Sequence, residues 1–238
     1  MPQVRSRDKF GGSRVARSGR IAIVTAILAV ALSLVIFTAM AFVRTSPPTV
    51  DFTANHQAGT PVDMTLQVVG SYGSGIHPLW VSYLTEDPQG NWVHTTLWDF
   101  PSYTTVNVTI LQYDSGSPLR NQQIGRVQGT GGGTMNLNGK NVRVINSNAG
   151  NGTAHTFSIP TLGINVPLYG NNGNANLCSA APCTTSSPHN VIKFSFKTPG
   201  PGQYAWQCFV PCAGGFLYGN GGPMQTIGYM DGFLKVVD

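Results

Sequence analysis

The chain has 238 residues, 41% of them hydrophobic, 10% aromatic and only 10% charged, against about 25% charged in an ordinary soluble domain. That is room for one large domain or two small ones with a sizeable core. The net charge of +5 is lopsided: Arg5, Arg7, Lys9, Arg14, Arg17, Arg20 and Arg44 face Asp8 alone in residues 1–44, whereas residues 45–238 hold seven bases against eight acids. The larger part therefore has no basic footprint for nucleic acid, and that partner class is excluded.

Ile21–Val43 runs 23 residues without a charge. As a helix it would be about 34 Å long, enough for a hydrocarbon core of about 30 Å. A cleaved signal peptide is the alternative, but its apolar run is shorter and ends in a small-x-small site, which Phe42-Val43-Arg44 does not offer. Six bases precede the run and one follows, which predicts a cytoplasmic amino terminus. The expected organisation is a basic cytoplasmic tail (1–20), a transmembrane helix (21–43), a short tether (44–50) containing Pro47-Pro48, and an extracytoplasmic domain (51–238). The chain is thus expected to be a single-pass protein of the cell membrane.

The exterior domain reads as all-β. Met64–Val68, Val106–Ile110 and Ile192–Phe196 alternate apolar and polar residues with period two. Turn signals separate such runs at Asp87-Pro-Gln-Gly90, Asp114-Ser-Gly116, Gly131-Gly-Gly133 and Pro199-Gly-Pro-Gly202. The pattern predicts a sandwich or a Greek-key barrel. No helical pattern follows Gly131–Gly133, so it is expected to be a hairpin tip rather than a phosphate loop.

The four cysteines form two pairs. Cys178 and Cys183 bracket a polar loop without other ligand types, and outside the membrane they are expected to close it as a disulfide. Cys208 and Cys212 directly follow the strand-like Gln203–Gln207 and precede a Gly-rich stretch and a final strand from Met230 to Val236. His155 stands upstream, within Gly152–Ile159. A soft-ligand copper site needs thiolate, imidazole and thioether gathered at one pole of a β-barrel, and His155, Cys208, Cys212 and Met230 supply those types.

These residues resemble the cupredoxins and, among them, the dinuclear copper (CuA) domain of cytochrome c oxidase subunit II. The resemblance covers about Val142–Val237 and the single-anchor layout. His155–Ile159 followed by Gly163–Val166 looks like the first ligand histidine and its following strand. Lys193–Thr198 and Pro201–Tyr204 look like the penultimate strand pair. Cys208-x3-Cys212 has the family's cysteine spacing, and Met230-x-Gly232-x-Leu234-x-Val236 looks like the ligand methionine entering the last strand. The resemblance implies a cupredoxin-like Greek-key β-barrel or sandwich on one transmembrane helix. It also implies copper on His155, Cys208, Cys212 and Met230, and electron transfer within a membrane oxidase or similar complex, with a soluble donor.

The pattern departs at one ligand. The family's second histidine falls on Phe216, and Met230 lies 18 residues beyond Cys212 instead of seven. Val210 occupies a position where the family uses only a backbone carbonyl. Met224 is a second thioether in the long loop. His56 and His77 are expected to be exposed, His94 to point away from the core, and His189 to sit at a strand entrance. Without metal, Cys208 and Cys212 would oxidise to a disulfide. Two readings stay open: a copper-bearing electron carrier of the subunit II type, and a metal-free cupredoxin-fold scaffold of a membrane complex. With neither Gly-x-Ser-x-Gly nor His-Glu-x-x-His present, a stand-alone catalytic site is not expected.

Overall fold

The computed structural model describes residues 17–39, 46–54, 56–75, 77–173, 177–178, 180–212 and 222–238. The tail before Arg17, residues 40–45 of the apolar run and tether, and Phe216 with the neighbouring loop 213–221 lie outside the described residues. Two compact units are formed, Met1–Ser46 and Pro47–Asp238.

The first unit contributes one helix, α1 (Arg17–Thr38). It begins four residues before the uncharged run, because a helix needs no charge-free start and Arg17 and Arg20 fit its first turns. Gly19–Thr38 has a mean hydropathy of 2.8 and is long and apolar enough to cross a membrane. Its side chains, such as Val35 and Phe37, are exposed.

The second unit is a sandwich of two sheets. In chain order its strands are β1 (Val50–Asp51), β2 (Val62–Val69), β3 (Ser82–Glu86), β4 (Trp92–Val93), β5 (Leu97–Pro101), β6 (Thr105–Gln112), β7 (Met135–Leu137), β8 (Lys140–Val142), β9 (Thr153–Ile159), β10 (Ile164–Tyr169), β11 (Asn190–Lys197), β12 (Gly202–Gln207) and β13 (Asp231–Val237). One sheet has the order β1-β5-β13-β12-β9-β10, the other β4-β3-β2-β6-β11-β7-β8. The expected all-β architecture is present, as an open sandwich rather than a closed barrel. Period two explains the layers: β6 alternates exposed and buried positions, burying Val106, Val108 and Ile110. These pack in one core with Phe157 of β9, Trp98 of β5, Trp206 of β12 and Leu234 of β13. Each fully buried large apolar side chain contributes about 1.5–3 kcal/mol.

Two details differ from expectation. Gly131–Gly133 forms a short 3-10 turn before β7, with Gly132 at φ 72°. The hairpin tip is instead at Asn138-Gly139 between β7 and β8, where Asn138 and Gly139 both take positive φ. Cys178 and Cys183 are disulfide-bonded, but Cys183 is buried in a second cluster with Val69, Leu84 and Tyr113. Gln67 clamps it there, donating from Nε2 to the Cys183 carbonyl and accepting from the Cys183 N–H. Replacing both cysteines by serine is expected to destabilise the domain by about 2 kcal/mol, the entropy of a short loop. Thermal unfolding should show a Tm lowered by about 4–8 °C, with metal binding unchanged.

Candidate metal centre

β9 places His155 at its third position, and all seven residues of this strand are buried because β10, β12 and the facing core cover it. β12 hydrogen-bonds with β13 from Gly202 to Gln207 and meets β9 only at Gln207↔Ser158. Beyond that pair the chain leaves the sheet as Cys208–Cys212. Its departure is held by the Phe209 N–H donating to Thr156 Oγ1 at 2.8 Å and the Cys208 N–H donating to the Met230 carbonyl at 3.0 Å. Met230 is fully buried immediately before β13.

The ligand atoms of His155, Cys208 and Cys212 lie within 4.8 Å of one another, and among the described residues this is the one His/Cys/Asp/Glu group with metal-holding geometry. His155 Nδ1 is 2.9 Å from Cys212 Sγ and 3.9 Å from Cys208 Sγ. The two sulfurs are 3.4 Å apart, as free, buried thiols. The Val210 carbonyl oxygen faces both, 3.0 Å from Cys212 Sγ and 3.6 Å from Cys208 Sγ. This is the backbone oxygen that the resemblance placed at Val210. Two soft sulfurs, an imidazole nitrogen and a carbonyl oxygen converging in a buried site suit copper.

A residue that sequence reasoning treated as part of a turn completes the arrangement. Asp114, just beyond β6, sets Oδ2 2.8 Å from His155 Nε2. Its Oδ1 accepts from the Ser115 N–H. A metal-binding histidine commonly has its second nitrogen held by a carboxylate, which fixes both tautomer and ring orientation. Gly70 admits this carboxylate, because a Cβ there would collide with Asp114 Oδ1. The only sequence signal was an acidic residue two positions before Gly116, indistinguishable from an ordinary turn.

Protonation follows from these contacts. Burial alone would lower the His155 pKa, but the hydrogen bonds and charges of Asp114 and Cys208 outweigh it and hold it up to about 9. Burial likewise opposes a Cys208 thiolate, yet hydrogen bonds from Cys212, His155 and the Thr156 N–H push its pKa well down. Cys212 is pushed up, because its proton bridges to Cys208 and the site is buried. Both directions favour a protonated His155 beside a Cys208 thiolate in the metal-free site. Tyr83, fully buried and edge-on to Trp206 at 4.7 Å, has its pKa raised by burial and by the charges of both cysteines.

The remaining histidines lie elsewhere. His77 is half-buried rather than exposed and stacks on Trp80, while the half-buried His94 stacks on Tyr72 and has Nε2 3.2 Å from Ser82 Oγ. Burial lowers the His94 pKa to about 4. His56 is also half-buried. His189 precedes β11, with Nδ1 on the Ser187 carbonyl and its ring against Tyr113. Met224 is buried and lines a cleft of about 210 Å³ with Gln207, Cys208, Phe209 and Pro211.

Fold and site together define a β-sandwich with a buried His/Cys/Cys cluster of soft-metal type. No protein-family model matches the chain, and no curated protein does. Among solved structures, reduced rusticyanin is 16% identical over 82% of this chain and 87% of its own, with a TM-score of 0.32. Rusticyanin from Thiobacillus ferrooxidans is 16% identical over 82% and 85%, with a TM-score of 0.29. A chain of a heme-copper terminal oxidase dimer is 15% identical over 94% of this chain and 100% of its own, with a TM-score of 0.28. All three likenesses are distant.

Proposed function

We propose that the chain is a membrane-anchored, cupredoxin-like electron-transfer component of a membrane complex, similar to subunit II of a haem–copper oxidase. Copper would be held by His155 Nδ1, the Cys208 and Cys212 thiolates and the Met230 thioether, with the Val210 carbonyl beside them. One-electron transfer is the chemistry copper supplies there. The protein's share is to keep the donors dry and fixed: Asp114 holds the imidazole, and the β12–β13 ladder holds the cysteine turn. The observation that carries this reading is the convergence of one buried imidazole and two free thiols.

The competing reading is a metal-free scaffold subunit. It is favoured by the absence of a second imidazole from the cluster among the described residues and by the closeness of the two sulfurs. Copper loading of the full chain, reduced and purified in detergent, separates the two. An intense visible thiolate-to-copper band that survives dialysis supports the first. A colourless protein that retains no copper overturns it.

The six-to-one placement of bases around the apolar run puts the amino terminus in the cytoplasm and the sandwich outside. Protease added to spheroplasts should then digest the domain after Pro48 and spare the tail. A protected domain would reverse the topology.

A further inference from the structure

The chain joins the sandwich beside an uncommon surface. Pro47 packs on Gly228, where a Cβ would lie 3.2 Å from Pro47 Cγ, and the Pro48 carbonyl accepts a hydrogen bond from Thr95 Oγ1. The sequence neighbours of this wedge, His94 and Tyr229, belong to one aromatic cluster. Tyr229 lies edge-on to His94 at 4.7 Å and to Trp80 at 5.1 Å. Trp80 stacks on His77 at 3.6 Å, and Tyr72 stacks on His94 at 3.9 Å.

The loop that carries most of this cluster, 71–80, is tied by the Tyr72 N–H to the Trp80 carbonyl and the Gly73 N–H to the Pro78 carbonyl. Its outer face is Pro78 and Leu79, and Leu79 is 82% exposed. No charged residue occurs between Asp63 and Glu86. Among the described residues of the sandwich Leu79 is the most exposed large apolar side chain, and it stands on an uncharged loop backed by the half-buried rings of Tyr72, His77 and Trp80.

We propose that the Leu79–Trp80 lobe, backed by Tyr72, His77 and Tyr229, seats the domain on the lipid–water interface of the membrane that α1 spans. This rests on the reading of α1 as an anchor. Seven residues, 40–46, join Ala39 to Pro47, and seven residues reach at most about 25 Å fully extended. A surface beside Pro47 is therefore tethered within the interfacial layer's reach. Trp, Tyr and His rings present an apolar body with a polar handle, the chemistry of the aromatic belts that sit at headgroup level. Leu79 would supply the apolar tip. Because Tyr229 adjoins Met230, the seat would also fix the metal-centre end of the sandwich with respect to the membrane.

Tryptophan fluorescence of the full chain in phosphatidylcholine vesicles tests this, with and without lipids brominated near the top of the acyl chain. All four tryptophans are in the sandwich, and Trp98 and Trp206 are fully buried. Brominated lipid is expected to quench the wild type, and Trp80→Phe should lose most of that quenching. Leu79→Asp, a change at an exposed position that leaves the fold intact, should lift Trp80 from the lipid and also remove it. Quenching that is absent, or unchanged by both substitutions, overturns the proposal. Acrylamide quenching of Trp80 from the water with none from lipid also overturns it, leaving the lobe to a protein subunit. Alkaline extraction of the same vesicles reports on α1 separately: a chain retained with Trp80 unquenched sinks the seat alone, and a chain released sinks the anchor and the seat together.

Discussion

Replacing His155 by alanine is expected to abolish the coloured copper centre. The remaining donors would be two thiolates and a carbonyl. Soft sulfur still takes Cu(I), but oxidised copper also needs the imidazole nitrogen. Copper-loaded variant should show no thiolate-to-copper band and retain no Cu(II) through dialysis. A persisting band would mean that the imidazole comes from elsewhere in the chain. The metal-free protein should change as well. His155 is buried and Asp114 is 21% exposed, so the substitution leaves a partly hydrated carboxylate unpaired, at a cost of about 1–3 kcal/mol. The wild-type pair carries a pH signature. The His155 pKa is raised from 6.5 to about 9, so its stabilisation is complete below about pH 6.5 and lost as pH rises through about 9. Within that window the lowered pKa of Cys208 offsets the raised one of His155, because the folded pair and the unfolded chain then hold one proton each. Denaturant midpoints of the metal-free wild type should therefore stay level there and fall only above about pH 9, where Cys212 keeps the proton that the unfolded chain loses.

The sandwich was legible because its strands obey period two where one face is buried. Val106–Ile110 and Ile192–Phe196 announce β6 and β11, which pair in register along their length. The ligand-bearing turn was legible for another reason: Cys208, Val210 and Cys212 lie within five residues, so spacing alone brings two thiols and one carbonyl together. What stayed hidden is non-local. β2 and β6 run parallel, which places Gly70 and Asp114 side by side at the strands' ends, 44 positions apart in sequence. His155 meets that carboxylate across the gap between the sheets, and no periodicity encodes such a meeting. His94 followed the same logic: its strand context suggested an outward ring, but Tyr72 and Tyr229, remote in the chain, cover it.

Asp114 therefore carries the last and most discriminating expectation. Its substitution by alanine is expected to weaken copper binding by about 10–100-fold, the usual cost of removing the group that orients a metal-binding imidazole. Asparagine retains an oxygen acceptor for Nε2–H and should recover part of the loss, because it holds Nδ1 toward the sulfurs without the negative charge. Gly70→Ala should copy the alanine variant although Gly70 is not among the candidate ligands. Its backbone is outside the left-handed region, so alanine adds no backbone strain, and the effect would come from the collision of the new methyl with Asp114 Oδ1. Competition titration with a copper chelator measures the affinities. Nitrogen-15 NMR of His155 in the metal-free protein reads the ring independently: both ring N–H groups should be fixed in the wild type near pH 7, and exchange broadening should appear when Asp114 is removed or displaced. An unchanged affinity in Gly70→Ala, with an unchanged His155 spectrum, would show that the carboxylate is a bystander and that the β9 backbone alone aims the imidazole.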